Sequence, residues 1–352
     1  MFGGEEAALA AVATATVLAA VVGAWLSDQL SRNAIGFLRI LDHPNERSLH
    51  SSPVPRTGGV AVLTGAVLGM SVALLGVDAD ARLGWIAVAV LLVGTVSLLD
   101  DLRDVAQGYR LATHLAAALL IYLGGLQWWH LGLPGLDPRL PVWVAGPLSV
   151  LYIVWMINLY NFMDGMDGFA GGMALFGFGA LAVLGWQGGA LTYAALAAVL
   201  AGAAAGFLTR NLPPARVFLG DVGSSVLGLL AAAMILWGAD LDLFPLWVGW
   251  LIFSPFIVDA TWTLLRRVLA GEPFWSAHRS HHYQRLVLAG WGHRRTLLWS
   301  YVLMAAAAVS GVAAVDKPEH EQWLLLLGWA AIYALVHLRV EIAERAVDAT
   351  AR

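Results

Sequence analysis

The sequence predicts an all-α polytopic integral membrane protein, and three observations support this fold class. The 352-residue chain is 59% hydrophobic and only 12% charged, with a mean hydropathy of +0.73. Apolar blocks of about 20 residues, enough for a helix to cross a bilayer, recur along the chain. Basic residues concentrate in alternate loops, as expected where those loops stay in the cytoplasm. A soluble domain of this length would need far more charge on its surface.

We predict about eleven transmembrane helices in one domain that covers residues 1–352. Each is an apolar run bounded by charged residues or by Gly, Pro and Asp turns. The runs lie near residues 7–27, 57–77, 83–99, 111–126, 143–161, 169–187, 189–209, 222–238, 244–265, 296–315 and 321–340. The fourth and eighth runs are short. Glu5 and Glu6 follow no basic residue, so the first run is expected to be retained rather than cleaved as a signal peptide.

The basic residues indicate the orientation of these helices. One set of alternate loops contains only Arg82, Arg139 and Lys317, whereas the other set contains all the remaining basic residues. The positive-inside rule makes the Arg-rich loops cytoplasmic, with the N-terminus outside and the C-terminus in the cytoplasm. These loops lie near 28–57, 100–110, 162–168, 210–221 and 266–295. Every polar cluster of chemical interest falls on them, which predicts one site open to the cytoplasm.

The most informative cluster stands where the fifth apolar run ends. It contains two amides and two carboxylates: Asn158, Asn161, Asp164 and Asp167. Such groups are costly at membrane depth, so a functional site is the leading interpretation. Gly165 and Gly168 should break the helix there, so that the two carboxylates face a metal–diphosphate or a sugar from different directions. A polar helix end with Asp residues in a glycine turn is the alternative.

Two further carboxylate motifs fall at predicted helix ends. Asp100 and Asp101 point about 100° apart on a helix, so one can hold a cation while the other meets a second group. Solvation beside Arg103 is the alternative. Gly220 and Asp221 open a later helix, where the glycine lets the backbone approach a bound group. Asp221 could ligate Mg²⁺, which prefers carboxylate oxygens, or could simply cap the helix.

Arginine and histidine side chains supply candidate phosphate ligands. The longest cytoplasmic loop contains His278, Arg279, His281 and His282. These donors suit phosphate oxygens. Zinc is a weaker alternative because two of the histidines are adjacent and the chain has no cysteine, and a basic patch that binds anionic lipid is another. The first loop offers Arg47, His50 and Arg56, with a stiff basic connector as the alternative.

Carboxylates for Mg²⁺ and cationic groups for phosphates, all at a membrane surface, indicate phosphoryl-group transfer between a soluble donor and a lipid acceptor. Catalysis of this kind depends mainly on positioning and charge neutralisation. Without cysteine, any chemistry must come from Asp, His, Arg, Asn and backbone groups.

In these motifs the chain resembles the polyprenyl-phosphate N-acetylhexosamine-1-phosphate transferases, also called glycosyltransferase family 4. The matching stretches are Asp42 to Gly59, Asp100-Asp101, Asn158 to Gly168, Phe218 to Ser225 and the His281-His282 loop. The resemblance implies that a UDP-N-acetylhexosamine gives its sugar-1-phosphate to undecaprenyl phosphate in the bacterial cytoplasmic membrane, and that UMP is released. It also implies a requirement for Mg²⁺, with Mn²⁺ as the alternative, a homodimer as the oligomer to test, and no nucleic-acid partner.

The resemblance also implies roles for individual residues. Asp221, with Asp101, matches the metal ligand, and Asp100 is preferred over Asp101 as the base that deprotonates the lipid phosphate. The nucleotide-sugar and diphosphate group is Asn158, Asn161, Asp164, Asp167, Gly220, Arg279, His281 and His282. Further candidates for phosphate contacts are Arg47, His50, Arg56, Arg110 and His278.

Two departures from the family pattern refine this expectation. The only lysine is Lys317, on the outer side, so arginine must replace any lysine used near phosphates. His278 stands one residue early and Arg279 takes the place of a histidine, which favours the branch that initiates O-antigen or a related glycan over the muramoyl-pentapeptide branch.

Two other classes remain as alternatives. A transporter of an anionic or sugar-linked solute would place its polar groups near the bilayer midplane. A CDP-alcohol phosphatidyltransferase would need an Ala-Arg pair soon after its Asp-Gly motif, and Phe169-Ala170-Gly171 lacks that pair.

Overall fold

The computed structural model describes residues 2–32, 35–36, 40–42, 53–272 and 278–350, with side chains from 6 to 347. Within these ranges the chain forms thirteen α-helices and one pair of two-residue strands. The elements are α1 (Phe2–Ser31), β1 (Leu41–Asp42), β2 (Val54–Pro55), α2 (Gly58–Ala73), α3 (Arg82–Arg103), α4 (Gln107–Leu123), α5 (Val142–Phe162), α6 (Phe169–Gln187), α7 (Leu191–Asn211), α8 (Gly220–Asp240), α9 (Leu246–Ile252), α10 (Ser254–Leu269), α11 (His282–Leu286), α12 (Gly292–Ala314) and α13 (Glu319–Thr350). A π-helical turn, Val287–Trp291, joins α11 to α12.

The predicted all-α polytopic class is confirmed. Each predicted apolar run is helical, although the run 244–265 consists of two helices, α9 and α10, that meet at an angle of 84°. In the described part of the chain, eight helical stretches are long and apolar enough to cross a membrane, and the bent pair would make nine. The 16 residues of α2 and 17 of α4 reach only about 24–26 Å as helices. The number eleven and the orientation therefore stay predictions.

The loops alternate between the two ends of the helix bundle. At one end, four contacts join the loops predicted to be exported. These are the Arg82–Asp240 ion pair, the Thr192 hydroxyl on the Asp78 carbonyl, the Trp247 amide on the Gly132 carbonyl and the Trp323 indole on the Pro134 carbonyl. The described residues of the candidate site lie at the other end.

Helix α8 stands at the centre of the bundle. It packs against α2, α3, α5, α6, α7 and α9 and is almost wholly buried. Small residues allow this close packing, since a Cβ atom at Gly228 would lie 2.5 Å from the Met156 carbonyl oxygen of α5. Helix α7 uses a Gly-xxx-Gly pattern in the same way. Cβ atoms at Gly202 and Gly206 would lie 2.6 and 2.1 Å from carbonyl oxygens of α1.

The amino ends of α2 and α8 meet backbone to backbone. The amides of Gly58 and Gly59 donate to the carbonyls of Phe218 and Leu219 at 2.8 and 2.7 Å. A Cβ atom at Gly59 would stand 2.2 Å from the Gly223 nitrogen, so no other residue fits without moving the helices. This contact brings the segment before α2 to the first turn of α8.

We expect Gly59→Ala to destabilise the protein, because its Cβ atom would push α2 away from α8. Overpacking of this kind costs about 1–3 kcal/mol, so thermal unfolding in detergent should begin at a lower temperature. Gly84→Ala is the matched control, since nothing lies within 4 Å of a Cβ atom at that helical position. Equal unfolding temperatures for the two variants would contradict the predicted contact.

Candidate active site

Three carboxylates from two helices meet at the amino end of α8. Asp100 and Asp101 belong to the last turn of α3, and Asp221 belongs to the first turn of α8. Asp100 and Asp221 both contact the guanidinium of Arg110, and Asp101 follows Asp100 directly in the chain. Asp100 and Asp101 are buried, whereas the Asp221 side chain keeps 32% of its surface exposed. Carboxylates this close repel one another unless cations or bound protons reduce their negative charge.

Two arginines neutralise part of this charge. Arg110, three residues into α4, lies 2.7 Å from Asp100 Oδ2 and 3.5 Å from Asp221 Oδ2. The Nε atom of Arg56 lies 3.4 Å from Asp101 Oδ1, and its Nη2 donates to the Asp101 carbonyl at 2.6 Å. Three ionised carboxylates and two guanidinium groups leave one net negative charge. A bound cation would balance this charge.

The carboxylate of Asp101 has unfilled acceptor capacity. Both of its oxygens are buried without a hydrogen bond, although the carboxylate lies near the amides of Val222 and Asp221. A helix amino end favours a negative charge there. The absence of a side chain at Gly220 lets Arg56 and Asp101 approach the start of α8. A Cβ atom on Gly220 would lie 2.0 Å from the Arg56 carbonyl oxygen and 3.2 Å from Asp101 Oδ2. Its φ of 73° also favours glycine.

The donor chemistry of the cluster fits Mg²⁺, which takes carboxylate oxygens and completes its shell with water or substrate phosphates. The orphaned oxygens of Asp101 are the observation that supports this fit. Among the described residues, no group of three or more His, Asp or Glu side chains forms a preassembled metal site. Arginine side chains, rather than further acidic ligands, accompany the carboxylates.

Asp100 and Asp101 differ in how their oxygens are occupied. Asp100 Oδ1 accepts the Val105 amide at 2.7 Å, and Oδ2 pairs with Arg110. Asp101 makes no such hydrogen bonds. The two side chains meet different neighbours, as the 100° offset between adjacent helical residues predicts.

The end of α5 contributes an amide to the cluster. Asn161 Nδ2 donates to Asp221 Oδ1 at 2.9 Å and to the Ser224 hydroxyl at 3.0 Å. The helix stops at Phe162 and α6 begins at Phe169, with Gly168 at φ 74°. The predicted break is therefore present. The structure adds Ser224, which spacing alone did not single out.

Asn158 lies one helical turn deeper and contacts a histidine that the sequence analysis missed. Its amide nitrogen donates to His114 Nδ1 at 3.3 Å and to the Val154 carbonyl at 2.7 Å. His114 is buried and lies within electrostatic range of Arg110 and Asp221. Its place four residues after Arg110 on one helix face was the available signal. Because His114 Nδ1 accepts this hydrogen bond, the neutral ring of His114 carries its proton on Nε2.

Asp164 and Asp167 point to different neighbours. In the described part of the chain, the carboxylate of Asp164 makes no hydrogen bond or ion pair. Burial, followed by the negative charges of Asp221, Asp101 and Asp42, raises the pKa of Asp164 well above its usual range. Asp167 instead accepts the Ala215 amide at 3.0 Å and lies 3.7 Å from His293 Nδ1. The charges of the acidic cluster thus act on Asp164, whereas Asp167 faces Ala215 and His293.

His281 lies against the end of α5. Its ring is nearly parallel to Phe162, with centroids 6.5 Å apart, and to Tyr283, at 6.0 Å. The Tyr283 hydroxyl donates to the Phe162 carbonyl at 3.3 Å. His281 Nδ1 lies 3.4 Å from Asp259 of α10, a buried carboxylate that the sequence analysis did not identify.

His282 faces protein on both sides of its ring. Its Nδ1 lies 3.3 Å from Asp259 Oδ1, and its Nε2 lies 3.0 Å from His337 Nδ1. His278 Nδ1 is 2.8 Å from the Ser280 hydroxyl. Burial lowers the pKa of His278 to about 4, so this ring is neutral at pH 7. The predicted diphosphate contacts of His281 and His282 stay predictions.

The remaining predicted residues divide into two groups. Arg279 is exposed and makes no hydrogen bond or ion pair with any described residue. Arg47 and His50 lie outside the described residues. The structure thus joins Arg56, Arg110 and Asn161 to the three carboxylates, with Asp164 beside them, and leaves Arg279 apart.

Comparisons with known proteins point to one family. A sequence model described as "Glycosyl transferase family 4" matches residues 83–239. The chain is 31% identical to a "Probable undecaprenyl-phosphate N-acetylglucosaminyl 1-phosphate transferase" of Bacillus subtilis, with 86% of this chain and 84% of that protein aligned. It is 30% identical to the "Decaprenyl-phosphate N-acetylglucosaminephosphotransferase" of Mycolicibacterium smegmatis, over 90% and 86%. A "Phospho-N-acetylmuramoyl-pentapeptide-transferase" of Shouchella clausii is 29% identical, over 74% and 83%.

The raised pKa of Asp164 predicts a specific pH dependence of stability. The unfolded chain releases this proton at lower pH than the folded protein, so stability falls as pH rises from the ordinary Asp range through the raised pKa. Asp164→Asn removes that decline. We expect it to unfold at a higher temperature than the unmodified protein at pH 8, with a smaller difference near pH 4. Asp242→Asn, an exposed change at the opposite end, is the control; equal curves for Asp164→Asn and the unmodified protein would refute the assignment.

Proposed function

Because this chain belongs to glycosyl transferase family 4, we propose that it transfers a sugar-1-phosphate from a nucleotide sugar to a polyprenyl phosphate. The names of its relatives specify undecaprenyl or decaprenyl phosphate and an N-acetylglucosamine phosphate group. We propose a UDP-N-acetylhexosamine as donor and undecaprenyl phosphate as acceptor, with UMP as the second product. The lipid-linked sugar would begin an O-antigen, another lipopolysaccharide component or a related cell-wall glycan.

The meeting of Asp100, Asp101 and Asp221 with two arginines at one end of the helices carries this proposal. Both substrates bring phosphate groups, so the reaction needs positioned cations more than covalent help from the protein. Asp221 and Asp101 would hold Mg²⁺, or Mn²⁺ in its place. When bound, the ion would neutralise charge on the diphosphate.

The side chains of the cluster suit the remaining steps. Arg56 and Arg110 offer planar guanidinium groups that can turn from carboxylate to phosphate oxygens. Asp100 would take the proton of the acceptor phosphate, whose oxygen forms a bond to the sugar-linked phosphorus. The bond from that phosphorus to the bridging oxygen breaks, and UMP leaves with the electron pair. Asn161 keeps Asp221 oriented through its 2.9 Å hydrogen bond.

The membrane arrangement belongs to the same proposal. The chain would cross the bacterial cytoplasmic membrane about eleven times, with its N-terminus outside and the site facing the cytoplasm, where UDP-sugars are found. The loop distribution of arginine supports this orientation. The polar cluster stands at helix ends rather than near the midplane, which disfavours the transporter alternative. A homodimer remains the oligomeric state to test.

We expect the purified protein to release UMP from one UDP-N-acetylhexosamine, and only when undecaprenyl phosphate and Mg²⁺ are both present. A panel of donors, each with and without the lipid, identifies the sugar. Release of CMP from a CDP-alcohol, or no nucleotide release from folded protein across the panel, would contradict the proposal.

Asp221→Asn and Asp101→Asn should each lower kcat by about 100-fold or more, as the loss of a group that stabilises transition-state charge does in other enzymes. Asp104→Asn is the matched control, because Asp104 is exposed at the end of α3 with a φ of 50° that asparagine also adopts. Circular dichroism and thermal unfolding confirm that each variant is folded. Turnover of Asp221→Asn equal to that of the control would remove Asp221 from the proposed site.

A further inference from the structure

Polar side chains on one face of α13 contact the short helix α11. The face carries His337, Glu341 and Glu344, whose spacing of four and three residues places them in one row. His337 contacts His282, and Glu344 pairs with Arg285. Both partners, His282 and Arg285, belong to α11 rather than to α13. The last helix of the chain is therefore joined to the histidine segment at two points.

The first joint is a row of four polar groups from three helices. Asp259 of α10 accepts the His282 amide at 2.9 Å and lies 3.3 Å from His282 Nδ1. His282 Nε2 lies 3.0 Å from His337 Nδ1, so one of these two rings donates a hydrogen bond and the other accepts it. His337 Nε2 lies 3.3 Å from Glu341. The row fixes the orientation of both rings.

The second joint is a two-point ion pair. Arg285 Nε donates to Glu344 Oε1 at 2.6 Å, and its Nη2 pairs with Oε2. Arg285 is buried, so removing Glu344 would leave a poorly solvated charge. A planar guanidinium that meets both carboxylate oxygens also sets the relative orientation of the two helices.

Helix α11 has two other anchors, the Asp259 carboxylate, which accepts the amides of His282 and Tyr283, and the Tyr283 ring, whose centroid lies 4.7 Å from that of Phe169. The helix is only five residues long, and Ala289 and Gly290 leave helical geometry before α12 begins. Its own contacts run to the candidate site. Tyr283 donates to the carbonyl of Phe162, and the adjoining His281 lies parallel to that residue's ring. Thus α11 connects α13 to the end of α5.

We infer that α13 is a positioning element of the active site, in which His337 and Glu344 hold α11 so that His281 is presented at the end of α5. The expected effect on KM for the UDP-sugar rests on the proposed function, whereas the position of His281 does not. His337 and Glu344 act through α11 and have no substrate contact assigned to them. The final helix is thereby part of the donor-binding apparatus.

The kinetic test compares His337→Ala, His337→Asn and His320→Ala. His320 is an exposed histidine at the opposite end of α13 and serves as the control. We expect His337→Ala to raise KM for the UDP-sugar about ten-fold, since small displacements of binding groups cost this much or more. His337→Asn keeps an amide that can donate or accept near the place of Nδ1 and should recover most of the loss. Kinetics of His337→Ala equal to those of His320→Ala would overturn the inference.

A second readout does not depend on turnover. Because the chain has no cysteine, His281→Cys introduces a single thiol at a buried position. Its reaction with a maleimide should become several-fold faster when combined with His337→Ala or Glu344→Ala, and should not change with His320→Ala. Equal rates in all backgrounds would overturn the inference. If the unmodified protein released no UMP, the proposed function would fail, and the thiol rates would still decide the positioning role.

Discussion

The burial of Asp101 against the amino end of α8 is the constraint on which the site depends. An ionised carboxylate in this position costs several kcal/mol unless cations or dipoles compensate it. Arg56, 3.4 Å from Asp101 Oδ1, and the positive amino end of α8 provide part of that compensation, and a bound cation would provide the rest. Arg56 reaches the carboxylate only because Gly58 and Gly59 lie against the backbone at the start of α8. Three parts of the chain that are distant in sequence must therefore assemble together before the site exists.

Hydropathy predicted the helices well because each is a continuous apolar run, and the length of such a run is read directly from the sequence. It did not predict the 84° bend between α9 and α10, since a window average is insensitive to a local change of direction. Pro255 at the start of α10 was the local signal. The run 57–77 satisfied the apolar criterion, but α2 begins at Gly58, where its amino end is bonded to the start of α8, and ends at Ala73.

The candidate site shows what spacing can and cannot supply. Spacing identified Asp100, Asp101 and Asp221 because carboxylates at the ends of apolar segments are costly and therefore conspicuous. It gave no partner for Arg110, whose ion pairs join residues ten and 111 positions away, at 100 and 221. His114 and Asp259 were missed because each is the only His, Asp or Glu in its helix and so forms no motif with a like residue. His282 was grouped with His281 by adjacency, but its two ring nitrogens face Asp259 and His337.

The pairing of Arg110 with two carboxylates has a thermodynamic consequence. An anion that draws Arg110 to itself leaves Asp100 and Asp221 less compensated, which strengthens their hold on a cation. By linkage, a cation on those carboxylates must strengthen the binding of the anion by the same factor. At the proposed site Arg110 would therefore make the affinities for anion and cation cooperative, so that neither ligand would reach its full affinity in the absence of the other.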